Sequence, residues 1–359
     1  MYKVTKPTLL LDKKKAIKNI KRMAEKAKAS GVNYRPHFKT HFSKEIGEWY
    51  RDLGVKSITV SSIDMAVFFA GHGWDDITIA FPVNILQMDV LKHLAKAVKL
   101  GLVVESQSVI KAINTEIESA VDVYIKVDTG YHRVGIWHEN IEEIKQLGEA
   151  IAEPHQFKGL LAHFGHTYAE TKKEKIQSIY KNGVASLNSL RDQLDKNLKI
   201  SIGDTPSCSL MDKFENVDEI RPGNLIFYDV MQANIGSCTN EDIAVCLAAP
   251  VVAVYPERSE MVVHGGAVHL SKDRLNDDRG DYYGQVVLLE EKGWSQPLED
   301  YRIKGLSQEH GKITIPKDQI RKFKIGDVLG ILPVHSCLTA NLMKEYMTLR
   351  GEKVGTMHL

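Results

Sequence analysis

Two short segments of this 359-residue chain carry side chains whose types and spacing could do chemistry. The first is Arg35-Pro36-His37-Phe38-Lys39-Thr40-His41. A lysine held in a pocket, its pKa lowered by desolvation and by Arg35 or protonated histidines beside it, can form a Schiff base with a carbonyl cofactor or substrate. The alternative is a solvated loop with an ordinary surface lysine. The second is Pro333-Val334-His335-Ser336-Cys337-Leu338-Thr339. In an extended segment, residues i and i+2 face the same way. His335 and Cys337 are therefore expected to meet one metal ion. Neutral imidazole plus thiolate suits zinc over magnesium or calcium. Two protein ligands leave positions for water and substrate. The alternative is a buried free thiol beside a surface histidine.

Three further clusters are weaker alone. Lys126-Val127-Asp128-Thr129-Gly130-Tyr131-His132-Arg133-Val134-Gly135 combines glycines for tight backbone with the donor fork of Arg133. Leu161-Ala162-His163-Phe164-Gly165-His166-Thr167-Tyr168 gathers two histidines, a glycine and a tyrosine. Gly203-Asp204-Thr205-Pro206-Ser207, with Arg221-Pro222-Gly223-Asn224, offers hydroxyls and backbone N–H groups of a kind that bind phosphate.

The elements that must position these clusters alternate. Asp12 can cap a helix in which Ile17, Ile20, Met23, Ala24 and Ala27 recur at helical spacing. Strands are expected at 32–34, 57–60, 76–81, 102–105, 121–127, 157–162, 198–202 and 218–221, with helices between them, among them 87–100 and 172–194. Short apolar runs alternating with amphipathic helices imply βαβ units and a parallel sheet. About eight such repeats match a (β/α)8 barrel, which takes ~250 residues. In such a barrel the chemistry sits where strands end, and all the clusters up to Asn224 fall there. From about residue 240 the pattern changes to strands separated by turns, at 244–254, 261–264, 284–290, 312–315 and 328–332. The expected fold is α/β, an N-terminal TIM-like barrel over 1–240 and an antiparallel β domain over 241–359 carrying the metal motif, with the first ~10 residues available to the β domain.

Composition narrows the partners. Lys+Arg 47 against Asp+Glu 46 gives a formal charge of +1, without the basic excess of a nucleic-acid binder. The cysteines, 208, 238, 246 and 337, are too few and scattered for a disulfide framework. No apolar run is long enough to span a membrane. The N-terminal segment has a three-residue apolar core before a lysine run, unlike a secretory signal. A cytoplasmic protein is expected.

Together the motifs resemble the alanine-racemase-like, fold-type III family of pyridoxal-phosphate enzymes, and within it the branch of D-serine dehydratase and D-threonine aldolase. Arg-Pro-His-x-Lys-Thr-His at 35–41 resembles that branch's cofactor-lysine motif. Val-Asp-Thr-Gly-x-x-Arg-x-Gly, His-x-Gly-His-x-Tyr, Arg-Pro-Gly-Asn, Gln-Glu-His-Gly at 308–311 and Pro-x-His-x-Cys at 333–337 follow in the family's order. The resemblance implies that Lys39 carries pyridoxal phosphate covalently and is the catalytic base. It implies that Arg133 lies near the ring oxygen, His163 lies against the ring and Tyr168 lines the pocket. Thr205, Gly223 and Asn224 match phosphate-binding positions. Arg221 matches an arginine that reaches the pyridine nitrogen in the racemases. His335 and Cys337 would ligate zinc. One position departs from the pattern: Asp204 stands where a serine is usual, and an acid beside a phosphate is unfavourable unless it points away.

The same resemblance implies elimination of water from a D-3-hydroxy amino acid, giving a keto acid and ammonia. His-x-Cys resembles the dehydratases. The branch's aldolases typically carry His-x-Asp, suited to manganese or magnesium, and cleave Cα–Cβ to glycine and an aldehyde. A third reading is a non-catalytic vitamin-B6 carrier, but such small relatives lack the β domain and its metal motif. A homodimer is expected from the family.

Overall fold

The structure is a computed structural model and describes residues 4–357. The chain packs as two units: residues 21–39 with 47–223, and residues 4–20 with 40–46 and 224–357.

The first unit is built on an eight-stranded parallel sheet. Its strands run in the order Asn33–Tyr34, Glu219–Ile220, Lys199–Ile202, Gln156–Leu161, Asp122–Asp128, Lys99–Val104, Asp76–Pro82 and Ile58–Val60. The two end strands meet just past Tyr34, where His37 bridges Thr59 and Thr59 donates its N–H to the Pro36 carbonyl at 2.9 Å. The ring thus closes at the segment that carries Lys39. Leu100, Leu102, Val123, Ile125, Val127, Leu160, Ile200 and Ile202 are buried along the strands. Such near-continuous apolar runs are what a sheet covered by helices requires. The first helix, Lys13–Ser30, starts at Asp12, whose Oδ1 accepts from the N–H of Lys14 and Lys15 at 3.0 and 3.1 Å.

One predicted helix is too long. The helix expected over 87–100 spans Met88–Ala97, and Lys99–Val104 is already strand. Lys96, Ala97, Lys99 and Leu100 are good helix formers. Val98 nevertheless turns extended, and the chain from Lys99 pairs with Asp76–Pro82. Tertiary pairing overrides local preference here.

The second unit is antiparallel. Glu260–His264, His310–Thr314, Arg302–Leu306, Gly284–Glu290, Val328–Pro333 and Val245–Tyr255 pair in that order, and the last returns to the first, giving a closed six-stranded barrel. Closure leaves this ring no edge strand. Leu247, Val251, Met261, Val263, Val286, Ile303, Ile313 and Ile331 fill it. Thr8–Leu11 adds antiparallel to Val245–Tyr255, and Glu345–Thr348 runs parallel to Thr8–Leu11. Arg302–Leu306 and Glu345–Thr348 are not evident in the sequence.

The metal-motif segment is not extended. The strand ends at Pro333, His335 is the N-cap, and Ser336–Met343 is a helix. Asp229, remote in sequence, accepts the Ser336 N–H at 2.9 Å and so starts the helix. Among the described residues no helix is long and apolar enough to cross a membrane.

Candidate functional site

Lys39 sits on a single 3-10 turn, Phe38–Thr40, directly after the first barrel strand. Phe38 is fully buried against the rings of Tyr50, Phe69 and Trp74 and pins the turn. Lys39 alone in the run 35–41 is exposed, so its amine is presented outward from a rigid base. The expected neighbours behave differently from the sequence reading. Arg35 is buried in ion pairs with Glu219 at 2.7 Å and Asp76 at 2.6 Å, which hold its charge away from the lysine. His37 is not protonated: burial, then the charges of Lys39 and Arg221, push its pKa well below the usual value.

The loop after Asp122–Asp128 folds around one carboxylate. Asp128 accepts the N–H groups of Gly130, Tyr131 and His132 at 3.0 to 3.1 Å. Against the opposing effect of burial, these donors hold it below the usual carboxylate range. Gly130 and Gly135 both have φ +115, which side chains rarely adopt. The Tyr131 ring lies where a Cβ on Gly165 would be, 2.3 Å away. That glycine lets the ring reach His163, with centroids 5.8 Å apart, and Arg133 lies over the same ring at 5.0 Å. Arg133, Tyr131 and His163 are therefore one assembly. His163 bonds through Nδ1 to the Gly203 carbonyl, which places its proton on Nδ1. Burial, then Lys126 and Lys39, keep this ring neutral.

The remaining barrel positions converge on the short helix Thr205–Leu210. Tyr168 Oη accepts the Thr205 N–H at 3.2 Å. Asp204 is the helix N-cap. Its Oδ1 accepts the Ser207 N–H at 2.7 Å and the Thr167 hydroxyl at 3.0 Å, so one oxygen is turned into the protein. Asp204 Oδ2, Thr205 Oγ1 and Ser207 Oγ are buried without a hydrogen-bond partner in the protein. Orphaned hydroxyls at a helix start fit an anionic oxygen group, as a cofactor phosphate provides. Arg221 is buried and committed, with Nε to Ser201 Oγ at 2.7 Å and Nη2 to the Ala162 carbonyl at 2.6 Å. Burial pulls it down to about 10. Gly223 is buried two residues further on.

Lys126 was not singled out by the sequence reading. It is buried in the middle of strand Asp122–Asp128, with Nζ 3.5 Å from the Leu161 carbonyl. Burial, then Arg221 and Arg133, pull its pKa down to about 7. The available signal was a lone lysine within the apolar run 121–127.

In the second unit, His335 caps the helix Ser336–Met343, which carries Cys337. Against burial, the bond to Cys337, the charge of Asp229 and a bond to Asp273 pull His335 up to about 10. Also against burial, His335 and Thr40 hold the Cys337 thiol below its usual value. Thiolate is the form of cysteine that binds a metal. Thiolate and imidazole are the donor set zinc takes. The Asn224 amide is spent in this unit: Nδ2 donates to Asp229 Oδ2 at 2.7 Å and Ser336 Oγ at 3.1 Å and lies 3.5 Å from Cys337 Sγ.

A second group among the described residues, His264, His269 and Glu309, brings both Nε2 atoms within 3.2 and 3.8 Å of Glu309 Oε2. The Gly266 N–H donates to His269 Nδ1 at 3.1 Å, so the neutral ring carries its proton on Nε2, facing the carboxylate. This arrangement is a hydrogen-bonded cluster, and its His269 Nε2 has no lone pair for a metal.

A TIM-like barrel presenting an accessible lysine and an anion cup, joined in one chain to a closed β barrel, defines a pyridoxal-phosphate enzyme of the alanine-racemase-like fold. The model described as "Alanine racemase, N-terminal domain" matches residues 11–230, and "Putative serine dehydratase domain" matches 244–349. A D-serine dehydratase of Dictyostelium discoideum is 31% identical, covering 93% of this chain and 90% of that protein. The D-threo-3-hydroxyaspartate dehydratase of Delftia sp. HT23 superimposes with a TM-score of 0.92 at 27% identity, covering 99% of this chain and 98% of that one. Solved variants of it replace a histidine and, two positions on, a cysteine by alanine, the latter in a metal-free form. A 3-hydroxy-D-aspartate aldolase of Paracoccus denitrificans is 23% identical, over 98% of this chain and 90% of that protein. The chain belongs to the alanine-racemase-like family of pyridoxal-phosphate enzymes, in the lyase branch that contains D-serine dehydratase.

Proposed function

We propose that this chain is a pyridoxal-phosphate- and zinc-dependent D-serine dehydratase, removing water from a D-3-hydroxy amino acid to give a keto acid and ammonia. The observation that carries this reading is that His335 and Cys337 sit together at one helix start, with Cys337 Sγ 3.3 Å from Thr40 Oγ1. A thiolate–imidazole pair selects a zinc-type Lewis acid, whereas a carboxylate would suit manganese or magnesium and the aldolase reading. The Delftia dehydratase supports it, with its cysteine replaced in a metal-free form and a histidine two positions earlier.

Lys39 would hold the cofactor, with Thr205 and Gly223 around its phosphate, Arg133, His163 and Tyr168 around the ring, and Arg221 behind it; Asn224, whose amide nitrogen is committed to Asp229 and Ser336, would contribute only its backbone. When bound, pyridoxal phosphate supplies an electron sink for charge at Cα, and zinc supplies a Lewis acid for the β-hydroxyl. Lys39 Nζ, once freed, would accept the Cα proton. His163, neutral and fixed through Nδ1, offers a flat uncharged face and does not compete for that proton. His335 and Cys337 would hold that metal. Hydroxide leaves Cβ as the Cα proton goes to Lys39. Water then hydrolyses the released enamine to keto acid and ammonia, so the net reaction neither gains nor loses water.

The test is spectroscopic. The visible band of the yellow holoprotein should change on adding D-serine and recover as keto acid accumulates. An unchanging band would indicate a cofactor carrier.

A further inference from the structure

The metal reading names two ligands on one short turn, and a third side chain reaches that turn from far away in the sequence. Asp273 Oδ2 lies 2.7 Å from His335 Nδ1. A charged pair with side chains 43% and 30% exposed would ordinarily be a surface ion pair worth little. Two observations separate this one.

The first is how Asp273 is held. Leu270, at the end of the short helix Ala267–Leu270, is fully buried, and its carbonyl accepts the buried Thr339 hydroxyl at 3.5 Å. Thr339 belongs to the helix that begins at Ser336, so the turn and the metal motif are fastened together. Ser271 then adopts a left-handed φ of +66, and its Oγ accepts the Asp273 N–H at 3.1 Å. A non-glycine residue in that conformation costs energy and persists only where the surroundings demand it. Ser271 therefore aims the carboxylate rather than leaving it to wander.

The second is what the bond does to the ring. His335 is hydrogen-bonded to Asp273 through Nδ1. With Nδ1 committed, Nε2 is the ring nitrogen left for a metal.

We propose that Asp273 is a positioning residue for the metal: its carboxylate accepts the Nδ1–H of His335, which fixes the ring orientation and leaves the Nε2 lone pair for the ion shared with Cys337. This inference rests on the metal reading of His335 and Cys337. A carboxylate behind a ligating histidine fixes the tautomer and raises ligand basicity, and its loss typically weakens metal binding about 10- to 100-fold. Asparagine keeps an acceptor oxygen but loses the charge, so it should fall between aspartate and alanine.

The experiment is zinc titration of chelator-stripped holoprotein against a chromophoric chelator, for the parent, Asp273→Asn, Asp273→Ala and His335→Ala. The parent should bind one zinc per chain, and His335→Ala should lose it. Asp273→Ala should bind zinc about 10- to 100-fold more weakly, with Asp273→Asn intermediate. The cofactor band and melting temperature should stay unchanged. Loaded with cobalt(II), Asp273→Ala should keep its thiolate charge-transfer band while its ligand-field bands shift, an effect a purely structural role would not produce. Parent-like zinc affinity in Asp273→Ala, with zinc lost in His335→Ala, overturns the role of Asp273 alone. Zinc binding that is absent, or indifferent to His335→Ala, overturns the metal reading and this inference with it.

Discussion

The hydroxyl of Thr40 lies 3.3 Å from the sulfur of Cys337, and Thr40 is the residue that follows Lys39 in the chain. Thr40 is fully buried. Thr40→Val keeps the shape and removes the hydroxyl that pairs with this sulfur. A hydrogen bond to a charged group contributes about 1.5–3 kcal/mol, so zinc affinity should fall about tenfold or more. Chelator competition measures this, and unchanged affinity would show that the hydroxyl does not support the thiolate.

Removing the metal should stop chemistry without unfolding the protein. Two ligands on one turn cannot close a four-ligand structural site. Chelated protein should keep its melting temperature and its yellow colour while elimination slows at least 100-fold, and Cys337→Ala should reproduce this. Cys337→Asp should shift preference towards manganese and raise aldol cleavage over dehydration. Full-rate dehydration by protein shown metal-free by elemental analysis would remove the metal from the mechanism.

Lys126 should leave a mark on the pH dependence of stability. The unfolded chain holds this proton up to about pH 10.5, whereas the folded one releases it near 7. Between those values the unfolded state binds more protons, so stability rises with pH. For one proton the slope is about 1.4 kcal/mol per pH unit. Lys126→Met should abolish that increment. In urea titrations of cofactor-free protein, the variant's advantage over the parent should be largest near pH 7 and shrink towards pH 10. A constant difference would contradict the buried, neutral lysine.

Asp204 titrates with the opposite sign. Burial pushes its carboxyl up to about 6 from 3.8, so the folded state binds the proton more tightly. Stability is therefore lost as pH rises through that window. Asp204→Asn retains the cap oxygen for Ser207 and Thr167 without the charge. It should match the parent near pH 4 and exceed it above pH 6 in cofactor-free protein. Parallel stability curves would refute this.

What the sequence revealed depended on distance along the chain. Lys39 was legible because its motif is contiguous, and the parallel strands because apolar runs alternate with amphipathic helices. The pairing of His335 with Cys337 was also legible, but its conformation was not. The helix there starts because Asp229, 107 positions away, caps Ser336. Asp273 lies 62 positions from His335, and only the folded β unit brings them together. Arg302–Leu306 has too mixed a composition to read as a strand, yet the closed barrel needs it between Gly284–Glu290 and His310–Thr314. The effect of Arg35 was misjudged because its partners, Asp76 and Glu219, come from other strands.

The most direct measurement is product analysis of the purified protein, loaded with pyridoxal phosphate and zinc and incubated with D-serine or D-threonine. The account predicts keto acid and ammonia in equal amounts, with D-serine consumed faster than L-serine, the reaction lost on chelation and restored by zinc. Glycine and an aldehyde as the main products would contradict it and identify an aldolase on the same framework.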